Sequence, residues 1–152
     1  MAAPWAVEAR WRGRRRFEGH SPTPTVVAMD ARADAGGEGS APTPMETLLI
    51  ALAGCTGMDV VGILEKMRAP LRQLTVRVSG ERADLHPKVF TRIHVRYEAS
   101  GPGLTSEQVQ RAVRLSQEKY CSVAAMLRPA VPLTYEVVLR PAGDAEPPAR
   151  AG

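Results

Sequence analysis

Apolar residues recur along this chain with two different periods, and each change of period marks an element. In residues 5–17, WAVEARWRGRRRF, they alternate. Trp5, Val7, Ala9, Trp11, Gly13, Arg15 and Phe17 share one face, while Glu8, Arg10, Arg12, Arg14 and Arg16 take the other. Such alternation predicts a strand with one half-buried face. EGHSPTPT then reads as a turn and TVVAMDA as a second short strand, the two pairing as a hairpin. RADAGGEGSAPTP, residues 32–44, has the Gly, Ala and Pro content of a mobile loop.

At Pro44 the period lengthens. Proline suits a first helical position, and Glu46 suits the first turn, where a carboxylate meets the positive end of the helix dipole. The helical pattern runs to about Met67 and stops before Pro70. Between Leu48 and Leu64 it is apolar almost all round, which predicts a long central helix buried on most sides. Covering it asks for a sheet on one face and leaves room for a second subunit on another.

LRQLTVRVSGERA and VFTRIHVRYEAS return to alternation. Leu74, Val76 and Val78 share one face, as do Ile93, Val95 and Tyr97, and ADLHPK turns the chain between them. LTSEQVQRAVRLSQEKYC starts a helix at Thr105 or Ser106, SVAAMLRPA is a short helical piece ended by Pro129, and PLTYEVVLR is a last strand. The order β-β-α-β-β-α-α-β groups strands in pairs between helices, which predicts an α+β fold with a mostly antiparallel sheet. Residues 1–140 read as one domain, and residues 141–152, with PAGDAEPPARAG, have the composition of a disordered tail.

Composition narrows the function classes. At 152 residues, 44% hydrophobic and 24% charged, the chain suits one soluble domain with a sizeable core. The longest apolar run, Leu48 to Val61, is interrupted by Thr56 and Asp59, and the N-terminus lacks an apolar signal core. A cytoplasmic location without membrane contact is therefore expected. There, two cysteines point to reduced, catalytic or redox-sensing thiols rather than a structural disulfide. The run RWRGRRR could contact phosphates, but few aromatic residues and no binding motif accompany it, so no nucleic-acid partner is expected.

Cys55 lies inside IALAGCTGMDVV, between Gly54 and Gly57, and Cys121 follows the second helix. Their separation matches no metal-binding spacing, and His20, His86 and His94 are not spaced as ligands, so no metal site is expected. A redox dithiol fits better: one thiolate attacks a peroxide, becomes a sulfenic acid, and a second thiol resolves it as a disulfide. The first step needs a cation or a helix dipole near the thiol. Arg15, on the apolar face of the first strand, needs a partner such as a thiolate or carboxylate, or else snorkels to water. Asp59, four residues after Cys55, lies on the same helix side, where its charge opposes thiolate formation unless it is itself paired.

PTPMETLLIALAGCTGMDVV, followed some way on by EKYCSVAAML, resembles the OsmC/Ohr family of osmotically inducible and organic hydroperoxide resistance proteins. The resemblance runs from about Trp11 to Leu139. It implies an intertwined homodimer with the central helices packed between sheets, and thiol-dependent peroxide reduction. It further implies Cys55 as the peroxidatic thiol, Cys121 as the resolving one, Arg15 as the site arginine and Glu46 as its glutamate. An external dithiol would restore the pair, and no cofactor is implied. Two departures stand out. Family members of the hydroperoxide branch place the glutamate where this chain has Met45, and CSV stands for the more usual CPV, which points to a less characterised OsmC-like branch. On an ideal helix Glu46 and Cys55 are separated by about 900° of rotation and roughly 13 Å of rise, so Glu46 would face away from its own Cys55.

Two functions follow. One is an organic hydroperoxide reductase, with Leu48, Leu52 and Met58 favouring apolar peroxides. The other is a small-ligand-binding or redox-sensing protein on the same fold, without turnover.

Overall fold

The computed structural model describes residues 4–142, and the expected C-terminal tail falls almost wholly outside them. The chain divides into two compact units, Met1–Leu48 and Leu49–Gly152.

The first unit is built on an antiparallel meander of three strands, β1 (Glu8–Trp11), β2 (Phe17–His20) and β3 (Val26–Met29). Glu8 pairs with His20 and Trp11 with Phe17, and Phe17 pairs in turn with Met29. The single strand expected over residues 5–17 is thus two strands and a turn. Gly13 and Arg14 adopt left-handed backbone angles, φ +102° and +45°, which reverse the chain. The Arg12 N–H then donates to the Arg16 carbonyl at 2.9 Å, and the Arg16 N–H to that of Gly13 at 2.9 Å. The alternation misled because both legs of a hairpin continue the same period. Arg15 consequently lies in the turn, exposed, and not on a strand face.

After β3 the loop is folded around Asp30. Its buried carboxylate accepts the backbone N–H groups of Ala31 (2.8 Å), Glu38 (3.2 Å) and Ser40 (3.1 Å), and the Ser40 hydroxyl (2.7 Å). A short 3₁₀ turn, Ala33–Ala35, precedes Gly36 at φ +88°. Composition read this segment as a mobile loop; its hydrogen bonds to Asp30 make it an ordered one.

The long helix α1 (Pro44–Lys66) begins in the first unit and continues into the second. The second unit adds β4 (Gln73–Arg82), β5 (Phe90–Ser100), α2 (Ser106–Leu115), α3 (Ser122–Leu127) and β6 (Leu133–Leu139). β4 and β5 form an antiparallel hairpin, while β6 pairs parallel with the far side of β5, giving the order β4-β5-β6. The parallel pairing follows from the connection: α2 and α3 carry the chain across before β6 returns. The α+β class and the antiparallel hairpins match the sequence reading.

Leu52, Val60 and Leu64 of α1 pack with Ile93, Val95, Tyr97 and Ala99 of β5 and with Val109, Ala112 and Val113 of α2. Fully buried positions on α1 form one stripe at four-residue spacing, with Thr56 its polar member. Elsewhere the helix is apolar and open: Ile50 is 55% and Met58 78% exposed. By length and composition α1 could cross a membrane, which a count of uninterrupted apolar residues overlooks. Its stripe set into the core is the pattern of a core helix.

Candidate redox site

Cys55 and Cys121 converge. Cys55 projects half-buried from the middle of α1, one residue before the buried Thr56. Cys121 caps α3, only 2% exposed, with its sulfur accepting the Ala124 N–H at 3.4 Å. The two side chains are near enough for Cys55 to act on the Cys121 thiol, and both thiols are free. Burial pushes the Cys121 thiol up to about 11, against the pull of the Ala124 N–H; the hydrogen bond and charge of Cys55 and the charge of Asp59 push the same way.

The segment before Cys121 explains the convergence. The helix expected to run through to Cys121 is α-helical only to Leu115; Ser116–Tyr120 form a π-helical turn. Such a turn widens the helix and redirects side chains. Here it turns Ser116 and Gln117 inward, where both are buried. The Ser116 hydroxyl donates to Asp59 Oδ2 at 2.8 Å, and its carbonyl accepts the Cys121 N–H at 2.8 Å. Thr56 Oγ1 lies 2.7 Å from Ser116 Oγ and 2.6 Å from the Tyr97 hydroxyl. Gln117 Nε2 donates to Tyr97 at 2.6 Å, and Arg128 donates to Gln117 Oε1 at 2.9 Å. Burial, outweighing its hydrogen bonds, keeps the Tyr97 phenol protonated beyond its ordinary range. The sequence marked Asp59 as a charge beside Cys55; its partner is Ser116. Ser116, Gln117, Tyr97 and Arg128 carried no chemical signal in the sequence.

The other two expected site residues belong to the first unit. Among the described residues Arg15 has no hydrogen-bonding or ion-pair partner, although its neighbours do. Arg10 pairs with Glu8, Arg12 with Glu18 at 3.0 Å, and Arg14 with Glu38 at 3.4 Å, while Arg16 donates to Ser40 at 2.7 Å. The Arg15 side chain lies against Gly36, where a Cβ would come within 3.6 Å of Nε. Glu46 accepts the Thr43 N–H at 2.8 Å while Thr43 Oγ1 accepts the Glu46 N–H at 3.2 Å. That reciprocal capping box occupies the carboxylate, and its signature, Thr43-Pro44-Met45-Glu46, stands in the sequence. The geometry therefore gives Glu46 a structural task at the start of α1.

Leu52, expected to line a substrate surface, is fully buried in the core, whereas Met58 is open. Met58, Gly54, Gly57, Val61, Leu74 and Val76 line a groove of about 480 Å³ along α1. No cluster of three metal-ligating side chains occurs among the described residues.

A meander, a long central helix with a thiol at its middle and a second thiol capping a short helix beside it define an OsmC-like fold. The OsmC-like protein family model matches residues 37–136, and the chain belongs to that family. It is 42% identical to protein YhfA of Escherichia coli K12 over 135 residues, covering 87% of this chain and 97% of that one. The crystal structure of a hypothetical protein from Aquifex aeolicus VF5 superposes with a TM-score of 0.76 at 30% identity, covering 91% and 99% of the two chains. An organic hydroperoxide resistance protein OsmC from Legionella pneumophila shares the fold, with a TM-score of 0.65 at 17% identity over 90% and 98%.

Proposed function

We propose that the protein is a thiol-dependent peroxidase that reduces organic hydroperoxides through a Cys55–Cys121 cycle. The observation that carries this reading is that two free thiols remote in sequence come near enough for Cys55 to act on the Cys121 thiol. The Cys55 thiolate attacks the terminal peroxide oxygen; the O–O bond breaks, and the alkoxide leaves as the alcohol on taking a proton. Cys55 is then a sulfenic acid. Cys121 sulfur attacks Cys55 sulfur, the S–O bond breaks, and water leaves. An external dithiol reduces the disulfide, as a reducing cytoplasm supplies. The unpaired donors of Arg15 are suited to hold the thiolate and polarise the peroxide. The salt-bridged and hydrogen-bonded arginines around it are spent within the protein, which weighs against a nucleic-acid surface.

The open apolar face of α1 supports a homodimer. A Cβ at Gly54 or Gly62 would meet nothing within 4 Å in this chain, so packing within the chain does not require glycine there.

Loss of cumene hydroperoxide in the presence of dithiothreitol tests the reading. Cys55→Ser should abolish it. Cys121→Ser should still form one sulfenic acid per chain but accumulate no intramolecular disulfide. Full activity in Cys55→Ser would overturn the assignment. The burial of Cys121 favours one alternative, a redox-sensing protein without turnover; stoichiometric disulfide formation with no multiple turnover would select it.

A further inference from the structure

The turn that delivers Cys121 is fastened by a side chain from eleven residues further on. The Cys121 N–H closes the π-helical turn on the Ser116 carbonyl at 2.8 Å, and the extended backbone of Cys121, φ −72° and ψ 104°, then breaks the helical path. The Gln117 carbonyl, next along that path, falls past the last such bond, among the acceptors a helix end leaves over. Arg128 Nη1 donates to it at 2.8 Å, while Nη2 donates to the Gln117 side-chain Oε1 at 2.9 Å. Two donors on one rigid plane thus meet two acceptors of a single residue, a match that the point charge of lysine does not provide.

We propose that Arg128 is a positioning residue for disulfide closure: its grip on Gln117 joins the ends of segment 117–128 and so aims the Cys121 sulfur at Cys55. The proposal rests on the two-thiol cycle above and adds to it the residue that aims the second thiol. Cys121 is fixed from both sides. Its N–H is held by Ser116, and its sulfur accepts the Ala124 N–H at 3.4 Å, so the direction of the sulfur follows α3. Arg128 is the C-cap of α3, and its guanidinium ties that far end back to the turn before Cys121.

The same glutamine is referred to the helix that carries Cys55. With Oε1 occupied by Arg128, the amide Nε2 donates to the Tyr97 hydroxyl at 2.6 Å. Asp59, as a carboxylate, takes the Ser116 proton; Ser116 therefore accepts from Thr56, and Thr56 accepts from Tyr97. Thr56 is the residue after Cys55, so one buried amide is the reference point for the carriers of both thiols.

In the closing step the Cys121 sulfur bonds to the Cys55 sulfur, the S–O bond of the sulfenic acid breaks, and hydroxide leaves as water with the thiol proton. A sulfur already held in place loses little further freedom in that step, which raises its effective concentration at Cys55. Without the grip, α3 is free to swing about Cys121, and closure must order that segment as well.

Equilibrium with glutathione reads this effective concentration without any peroxide. Glutathione disulfide accepts two electrons from the two thiols, the Cys55–Cys121 bond forms, and two glutathione thiols are released. Arg128→Met keeps the apolar stem and removes the fork; it should lower the equilibrium constant for the protein disulfide by about thirtyfold, and Arg128→Lys, which restores one donor, by about fivefold. A grip that served stability alone would lower the melting temperatures of the reduced and oxidised forms equally and leave the constant at the parent's value; that result overturns the proposal. Should Arg128→Met fail to fold, Arg128→Lys decides by itself, and a constant equal to the parent's overturns the proposal there too. Absence of peroxidase activity in a parent that keeps the order parent, lysine, methionine would sink the proposed function and leave this assignment standing. A parent that forms no Cys55–Cys121 disulfide would sink both.

Discussion

Thr56 Oγ1 and Ser116 Oγ lie 2.7 Å apart, and that contact ties the helix bearing Cys55 to the turn that delivers Cys121. Thr56 occupies a place in the buried stripe of α1 that Leu52, Val60 and Leu64 otherwise fill. An apolar residue there would pack as well. The hydroxyl is what links three elements, since Tyr97 from β5 bonds to it too.

Thr56→Val preserves the shape and deletes the hydroxyl, leaving the buried Tyr97 O–H without an acceptor. The expected loss is about 2 kcal/mol, the cost of an unsatisfied buried donor. Thr56→Ser, which restores the hydroxyl and loses only a methyl group, should recover about half of it. Urea unfolding of both variants measures the difference. Equal stability of Thr56→Val and the parent would mean that the network contributes no net free energy.

Some of this was visible in the sequence, and the reasons differ by residue. The strands around Val76 and Val95 and the helix from Pro44 were legible because their apolar period matches the face they bury. The thiol pair was legible because cysteine is rare here and its surroundings resemble a known family. Ser116 and Gln117 were not. Their burial depends on a π-helical turn that shifts the phase of α2, and no residue type announces such a turn. Glu46 carries a second readable signature beside the family one: the Thr43 partner three residues back marks a capping box, and that box is what the structure forms.

Arg15 offers a clean separation of stability from function. It is exposed and has no polar partner among the described residues, so Arg15→Ala should change unfolding free energy by no more than about 0.5 kcal/mol. If it polarises the peroxide, the same variant should lose about a hundredfold in the rate of hydroperoxide reduction. Thermal melting and a stopped-flow rate on one preparation give both numbers. A melting point lowered by many degrees with an intact rate would assign Arg15 to folding instead.

Asp30 predicts how the protein meets acid. The Ser40 hydroxyl and backbone N–H, with those of Ala31 and Glu38, hold its carboxyl down from 3.8 to about 2 despite its burial. A carboxyl with a depressed folded pKa contributes stability that is complete above its unfolded value and lost as pH falls through the folded one. Relative to Asp30→Asn, the parent should be more stable at pH 6, and that advantage should shrink between about pH 4 and pH 2. Melting temperatures of both proteins across that range provide the check. An advantage that does not vary with pH would place the effect in packing, not in charge.

Two glycines in the second unit are predicted to respond in opposite ways. A Cβ at Gly101 would overlap the carbonyl oxygen of Pro70, a contact between two stretches of backbone that neither can relieve by a rotamer change. Gly101→Ala should therefore destabilise by about 3 kcal/mol. A Cβ at Gly54 meets nothing within 4 Å, and alanine is the better helix former by about 1 kcal/mol. Within one chain Gly54→Ala should thus stabilise α1. Should a second copy pack its backbone against this face, the added methyl group would instead weaken association. Light scattering over a dilution series, with melting curves at each concentration, reads both effects. The expected outcome is a dimer that dissociates at higher protein concentration than the parent, from monomers that are themselves no less stable. An unchanged dissociation curve would show that the open face beside Cys55 is not where the copies meet.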